Sequence, residues 1–168
     1  AVKFQTWITE KVYSKTQSIK PDYQLDNTNV EESEYDIIKA LELTFDDFSE
    51  LKCYCEQKDI MFLSTPDEIE STDFLVNLGV PFLKTASQDV TNLPFLKYIA
   101  QKNIPVLFST GGCTLNELVE GASMILNENQ DVVILHCVSS YPAPMTDMNL
   151  NFISVLSKMF PCLVGFSD

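Results

Sequence analysis

An α/β fold built on a parallel sheet is what this sequence predicts, on three observations. Short apolar runs alternate with amphipathic segments along most of the chain, the rhythm of repeated strand–helix units. Several of those runs are apolar on both faces, which suits parallel strands covered by helices. Polar residues also collect at the C-terminal end of each run.

The first strand is AVKFQ, residues 1–5. Alternation sets Lys3 and Gln5 on one face and Val2 and Phe4 on the other, so the apolar pair packs on helices and the lysine points inward. Residues 6–40 break the rhythm. They are polar, contain Lys20-Pro21-Asp22 and Glu31-Glu32-Ser33-Glu34, and read as a long loop until YDIIKALEL restores some periodicity. A long loop after a strand's C-terminal end is either functional or a plain solvated excursion. A helix follows over 45–58, where Thr44 supplies a cap and Asp46 and Asp47 place negative charge at the positive helix end.

The strand IMFLST (60–65) leads to a helix over 69–79, and PFLKTA (81–86) to one over 92–103. PVLFST (105–110) precedes a helix over 114–129 that opens with a capping box, Thr114 followed three residues later by Glu117. VVILHCV (132–138), a helix over 149–160 and CLVGFS (162–167) complete the series. Crossovers of this length between parallel strands are right-handed.

The 168 residues are 45% hydrophobic, enough for one core and too few for two separated domains. With 24 acidic against 11 basic side chains the formal net charge is −13, which repels phosphate backbones and anionic headgroups. Nucleic-acid and membrane partners are therefore not expected. No apolar stretch reaches bilayer length and no leader pattern opens the chain, so a cytoplasmic protein is expected. Five cysteines make an odd count and read as reduced thiols, and Cys53-x-Cys55 with one histidine in the chain fits no familiar zinc spacing.

Six parallel strands suit either an open doubly wound sheet or most of a (β/α)8 barrel. The open nucleotide-binding sheet would show a glycine-rich first turn, and no G-x-G-x-x-G occurs. The barrel also explains the polar strand ends, since barrels place their sites there. Six strands cannot close eight, so the sequence reads as a partial barrel, a piece of a larger protein. The inward cations Lys3 and Lys84 are costly when buried unless an anion meets them. Ringed by Ser64, Thr65, Ser87, Ser109, Thr110, Ser139 and Ser167, two such lysines converging on one mouth make a site for phosphate or carboxylate. Each lysine could instead pair with a nearby carboxylate of this acidic chain.

KFQ at 3–5, FLSTP at 62–66, FLKTASQDVTNLP at 82–94, LFSTGG at 107–112, HCVSSYPAP at 136–144, DMNLN at 147–151 and VGFSD at 164–168 resemble, in order and spacing, the N-acetylneuraminate (sialic acid) synthase family. The resemblance covers nearly the whole chain apart from the 6–40 loop. It implies a (β/α)8 barrel of TIM type joined to a C-terminal antifreeze-like domain, a homodimer, and a divalent metal, Mn²⁺ or Mg²⁺. It also implies an enzyme that condenses phosphoenolpyruvate with N-acetylmannosamine or a related hexosamine derivative, giving a nine-carbon 2-keto sugar acid and phosphate.

Carried over position by position, Lys3, Ser87, Ser139 and Ser167 match residues that hold the phosphoenolpyruvate phosphate, and Thr65 and Lys84 match neighbours on the same ligand. Gln5, Asp89 and Tyr141 match positions near the sugar or the reacting centre. Position 89 is Asp where Glu is common in the family. The family's metal histidines, a glutamate near the end of the first barrel strand, the last strand and the antifreeze-like domain have no counterpart here, so the metal ligands are expected outside this segment. The family chemistry implies a metal acting as Lewis acid on the sugar aldehyde, lysines holding the anion in line, and water capturing an oxocarbenium-like C2. Two other readings stay open, a non-catalytic phospho-ligand-binding barrel portion and a different metal-dependent aldolase or lyase, the latter with a Schiff base at Lys84.

His136 is the one histidine. If Ser139 faces the phosphate, alternation turns Cys137 inward and His136 toward the covering helices, where a local partner would satisfy it. A role as general acid or metal ligand needs a local twist of the strand. Cys137 has no second histidine to activate it, and packing is its expected role.

Overall fold

The computed structural model describes residues 1–15, 33–140 and 142–167. Among them six strands run in parallel: β1 (Val2–Thr6), β2 (Phe62–Pro66), β3 (Leu83–Lys84), β4 (Val106–Ser109), β5 (Val132–Cys137) and β6 (Leu163–Ser167). β1 pairs with β2, and β3 to β6 form a second ladder in sequence order. β2 lies beside β3 without a hydrogen-bonded ladder. This is a (β/α)8-type barrel wall left open between β6 and β1, as the sequence predicts.

The helices are α1 (Thr9–Val12), α2 (Glu34–Leu41), α3 (Phe45–Gln57), α4 (Ile69–Leu78), α5 (Leu93–Ala100), α6 (Leu115–Glu128) and α7 (Asn151–Met159), with a 3-10 turn over Ser87–Thr91. Both expected caps form. Asp47 N donates to Thr44 Oγ1 at 3.2 Å while Thr44 N donates back to Asp47, and Thr114 with Glu117 makes the same reciprocal pair.

The 6–40 stretch departs from the loop expectation, because α1 and α2 interrupt it. Ser33 caps α2 by accepting from Asp36 N at 3.1 Å, and the amphipathic YDIIKALEL segment buries Tyr35. The two ends of the stretch are tied together. Glu42 accepts from Thr9 N at 2.8 Å, and Tyr35 Oη donates to Glu10 at 3.2 Å. Residues 16–32 of that stretch lie outside the described residues.

The core lies between the sheet and its helices. Phe4 stacks on Phe62 at 5.3 Å and meets Phe48 of α3 edge-on at 6.3 Å, so the expected outward face of β1 is the packed one. Phe62, Phe108, Ile134 and Leu156 continue this layer, each almost wholly buried. Burial along β5 alternates strictly, with Val132, Ile134 and His136 buried and Val133, Leu135 and Cys137 less so. One face of that strand therefore meets helices and the other looks into the open interior.

Gly121 sets how closely α6 packs. A Cβ there would lie 2.8 Å from Val90 O, 3.0 Å from Phe108 Cζ and 3.2 Å from Leu96 Cδ1. In an exposed helix the Gly→Ala change stabilises by about 1 kcal/mol. Here overpacking against a backbone carbonyl, costing roughly 1–3 kcal/mol, outweighs that gain. Gly121→Ala is accordingly expected to lower the urea midpoint of the intact protein, and a raised midpoint would contradict this packing.

Candidate functional site

The parallel pleat places the inward side chains at one end of the sheet. By alternation Lys3 and Gln5 of β1, Thr65 of β2, Lys84 of β3, Ser109 of β4 and Cys137 of β5 share the interior face. Lys84 Nζ donates to Ser109 Oγ at 2.6 Å across the β3–β4 ladder. Among the described residues no carboxylate makes an ion pair with Lys3 or Lys84. Burial pulls the Lys84 ammonium below its ordinary range, and burial followed by the Lys84 charge does the same to Lys3, against a weaker pull upward from Asp67. The lysines therefore face the same side.

One expectation needs correcting. Lys3 is exposed rather than buried, because the barrel wall is open beside β1. Protein still surrounds its ammonium within the concave interior, so desolvation acts on a group that water can touch.

Two loops bring hydroxyls to the same end. After β3, Ser87 Oγ accepts from Gly111 N at 3.0 Å, joining the 3-10 turn to the loop after β4. Gly111 lies so near Ser87 and Ser139 that a Cβ would stand 2.9 Å from each hydroxyl oxygen. Gly112, at φ +70°, would place a Cβ 2.8 Å from Ser139 Oγ. The two glycines thus let three loops close on one another, and a cavity of about 430 Å³ opens among Ser87, Gly111, Gly112 and Ser139. Ser167, the last described residue, pairs in register with Cys137 at the same sheet level. A larger cavity of about 650 Å³, walled by Pro105, Phe160 and Leu163, lies at the opposite ends of β4 to β6, away from both lysines.

Thr65 and Asp89 complete the described part of the set. Thr65 Oγ1 is buried with no hydrogen-bond partner. Asp89 is 5% exposed, accepts from Ala86 N at 3.1 Å, and is pushed up to about 6 by burial. Tyr141 lies outside the described residues. His136 stands where alternation puts it, buried toward α7, with Nε2 2.8 Å from Met148 O and its ring edge-on to Phe152. Cys137 Sγ donates to Leu135 O at 3.3 Å, and all five cysteines are free thiols.

Sequence reasoning missed Asp67. It follows Pro66 at the end of β2, its N–H donates to Thr6 O at 3.1 Å, and its Oδ1 is buried without a partner. Burial and the neighbouring Asp89 charge push its carboxyl up to about 7, while Lys3 and the approaching Gln5 amide pull the other way. The signal was present in FLSTPDE, as a carboxylate just past a buried strand end. Its burial was not.

The described residues contain no group of three His, Cys, Asp or Glu side chains able to hold a metal ion. The cations, hydroxyls and loop backbone gathered at the C-terminal end of the parallel sheet are groups that suit an anion. No helix among the described residues is long and apolar enough to cross a membrane.

Comparison with known proteins bears on family and fold. The chain is 37% identical, over 99% of its length, to 51% of the N,N'-diacetyllegionaminic acid synthase of Campylobacter jejuni. It is 36% identical, over 87% of its length, to 38% of the N-acetylneuraminate-9-phosphate synthase of Drosophila melanogaster. The N-acetylneuraminic acid synthetase of Leptospira borgpetersenii, solved in complex with citrate, superposes on all of this chain and 54% of that one, with a TM-score of 0.85 and 28% identity. The chain spans about half the length of the curated relatives it matches. A profile of the NeuB family matches residues 1–168, and by that match and these identities the chain belongs to the NeuB family.

Proposed function

We propose that the intact protein condenses phosphoenolpyruvate with N-acetylmannosamine or a related hexosamine derivative, releasing phosphate and forming a nine-carbon 2-keto sugar acid. The observation that carries this reading is the pair Lys3 and Lys84, held toward one interior without a carboxylate partner. Unpaired cations in a partly desolvated mouth are an energetic cost to the empty protein, and a ligand with both phosphate and carboxylate groups offsets it. Relatives named as synthases of different nine-carbon sugar acids support the reaction class, and the acceptor sugar is part of the proposal.

The proposed roles combine position in the sheet with the family resemblance. Lys84, braced by Ser109, and Lys3 hold the anionic groups of phosphoenolpyruvate. Thr65, Ser87, Ser139 and Ser167 donate hydrogen bonds to the same ligand, with the Gly111–Gly112 backbone drawn close enough to join them. Gln5 and Asp89 face the acceptor, and the family resemblance assigns Tyr141 to the same side. Holding the enol phosphate in line with the aldehyde turns an encounter of two solutes into a near-attack geometry, worth up to about 7–11 kcal/mol of barrier when alignment is good. A divalent ion would polarise the aldehyde. The described residues supply no ligand set for it, so it is proposed as held by residues outside them. We further propose that the protein works in the cytoplasm as a homodimer.

Phosphate release from phosphoenolpyruvate, N-acetylmannosamine or its acetamido relatives, and Mn²⁺ is the direct test. Turnover with at least one acceptor is expected. Binding without turnover would support a ligand-binding barrel instead. Titration calorimetry with phosphoenolpyruvate is expected to show Lys3→Met and Lys84→Met each binding about 10-fold to 100-fold more weakly, the weight of a charge-assisted hydrogen bond.

A second outcome separates a ligand lysine from a structural one. Lys84→Met is expected to stabilise the unliganded protein by roughly 0.5–2 kcal/mol, as changes that relieve a strained functional site do. The sign follows from its depressed ammonium, which costs stability wherever the lysine is charged in the unfolded chain. A lower melting temperature for this variant would mean the lysine supports the fold instead.

A further inference from the structure

Among the described residues, the buried side-chain oxygens without a hydrogen-bond partner are Thr65 Oγ1 and Asp67 Oδ1. Both stand at the C-terminal end of β2. Leaving such an oxygen unsatisfied destabilises the fold, and Asp67 recovers none of that through capping. That task belongs to Glu68, which accepts from Ser71 N at 2.9 Å at the start of α4. Nor does Asp67 take part in an ion pair among the described residues.

Its surroundings come from three elements. Lys3 and Gln5 face it from β1, Asp89 from the 3-10 turn after β3, and Glu68 from its own chain, with Lys84 beyond Lys3. These are the acceptor-side residues of the site, Gln5 and Asp89, together with one of the two anion-holding lysines. Its position is rigid as well, because its N–H is bonded to Thr6 O and Pro66 precedes it.

We propose that Asp67 is the proton donor to the carbonyl oxygen of the acceptor sugar, an assignment that rests on the synthase reading above. The carbon–carbon bond forms between the methylene carbon of phosphoenolpyruvate and the aldehyde carbon. The carbonyl π electrons move onto the aldehyde oxygen, which takes the proton from the Asp67 carboxyl and becomes a hydroxyl. Lys3 stabilises the carboxylate left behind. Water then adds to the cationic C2 and its released proton returns to Asp67, with Asp89 alongside to share it. The adduct collapses to the ketone as the C–O bond to phosphate breaks, and the C2 hydroxyl proton leaves with the phosphate. A carboxyl held near 7 by burial and by a second carboxyl keeps enough of its acid form at neutral pH for this task.

Kinetics of the intact protein test the assignment. Wild type is expected to lose kcat/KM about tenfold per pH unit above about 7, because the donor must be protonated. Asp67→Asn, near-isosteric but unable to give a proton, is expected to lower kcat about 100-fold or more. It should also lose that alkaline limb and leave KM for phosphoenolpyruvate within roughly threefold. Asp67→Glu should restore part of the rate and the limb. An Asp67→Asn enzyme with wild-type kcat and an unchanged limb would overturn the assignment while leaving the synthase reading intact. A wild type that releases no phosphate with any acceptor would overturn both. Infrared spectroscopy of the unliganded wild type adds a measurement that needs no variant. A protonated carboxyl band titrating near neutral pH is expected, and its absence would also refute the proposal.

Discussion

Two positive charges facing one interior, neither in an ion pair among the described residues, form the constraint around which this structure is organised. Burial lowers the proton affinity of both lysines, the Lys84 charge lowers that of Lys3 further, and only a sheet anchored elsewhere can hold them there. The anchoring is the layer of Phe4, Phe62, Phe108 and Ile134 against the outer helices. Each methylene buried in that layer contributes about 0.8 kcal/mol, so a modest apolar face outweighs the cost of a few unpaired polar groups opposite it. The pleat makes this separation possible, because successive residues of one strand serve opposite faces.

The acidic side of the mouth answers the basic side without neutralising it. Burial raises the proton affinity of Asp67 and Asp89, to about 7 and about 6, which weakens their claim as counter-charges on the lysines near neutral pH. A fully ionised pair would neutralise Lys3. The Gly111–Gly112 turn then brings backbone and the Ser87 and Ser139 hydroxyls together over the same mouth, an approach that any side chain at either position would obstruct. Carboxyls, lysines and hydroxyls therefore share one mouth.

His136 shows why residue type is a weak guide to role. The one histidine of the chain is spent on packing, its ring set against Phe152 and Phe166 and its Nε2 satisfied by Met148 O. The less conspicuous Asp67 sits at the mouth. The difference is parity on the strand and position at its end, and parity was readable for His136 because β5 alternates cleanly.

Local order was legible in the residues themselves. All six strands, the five long helices, the Thr44 cap and the Thr114 capping box follow from periodicity and end signals, since these depend on neighbours within a few positions. So did the inward direction of Lys3, Gln5 and Lys84. The helix α2 was less legible, because its stability comes from Tyr35 packing and from Glu10 and Glu42 brought in from distant or flanking chain. What only the tertiary structure decided is the company each group keeps: Lys84 with Ser109, Ser87 with Gly111, Asp67 with Asp89. Desolvation is collective, a property of all the atoms around a group, and no short stretch of residues contains it.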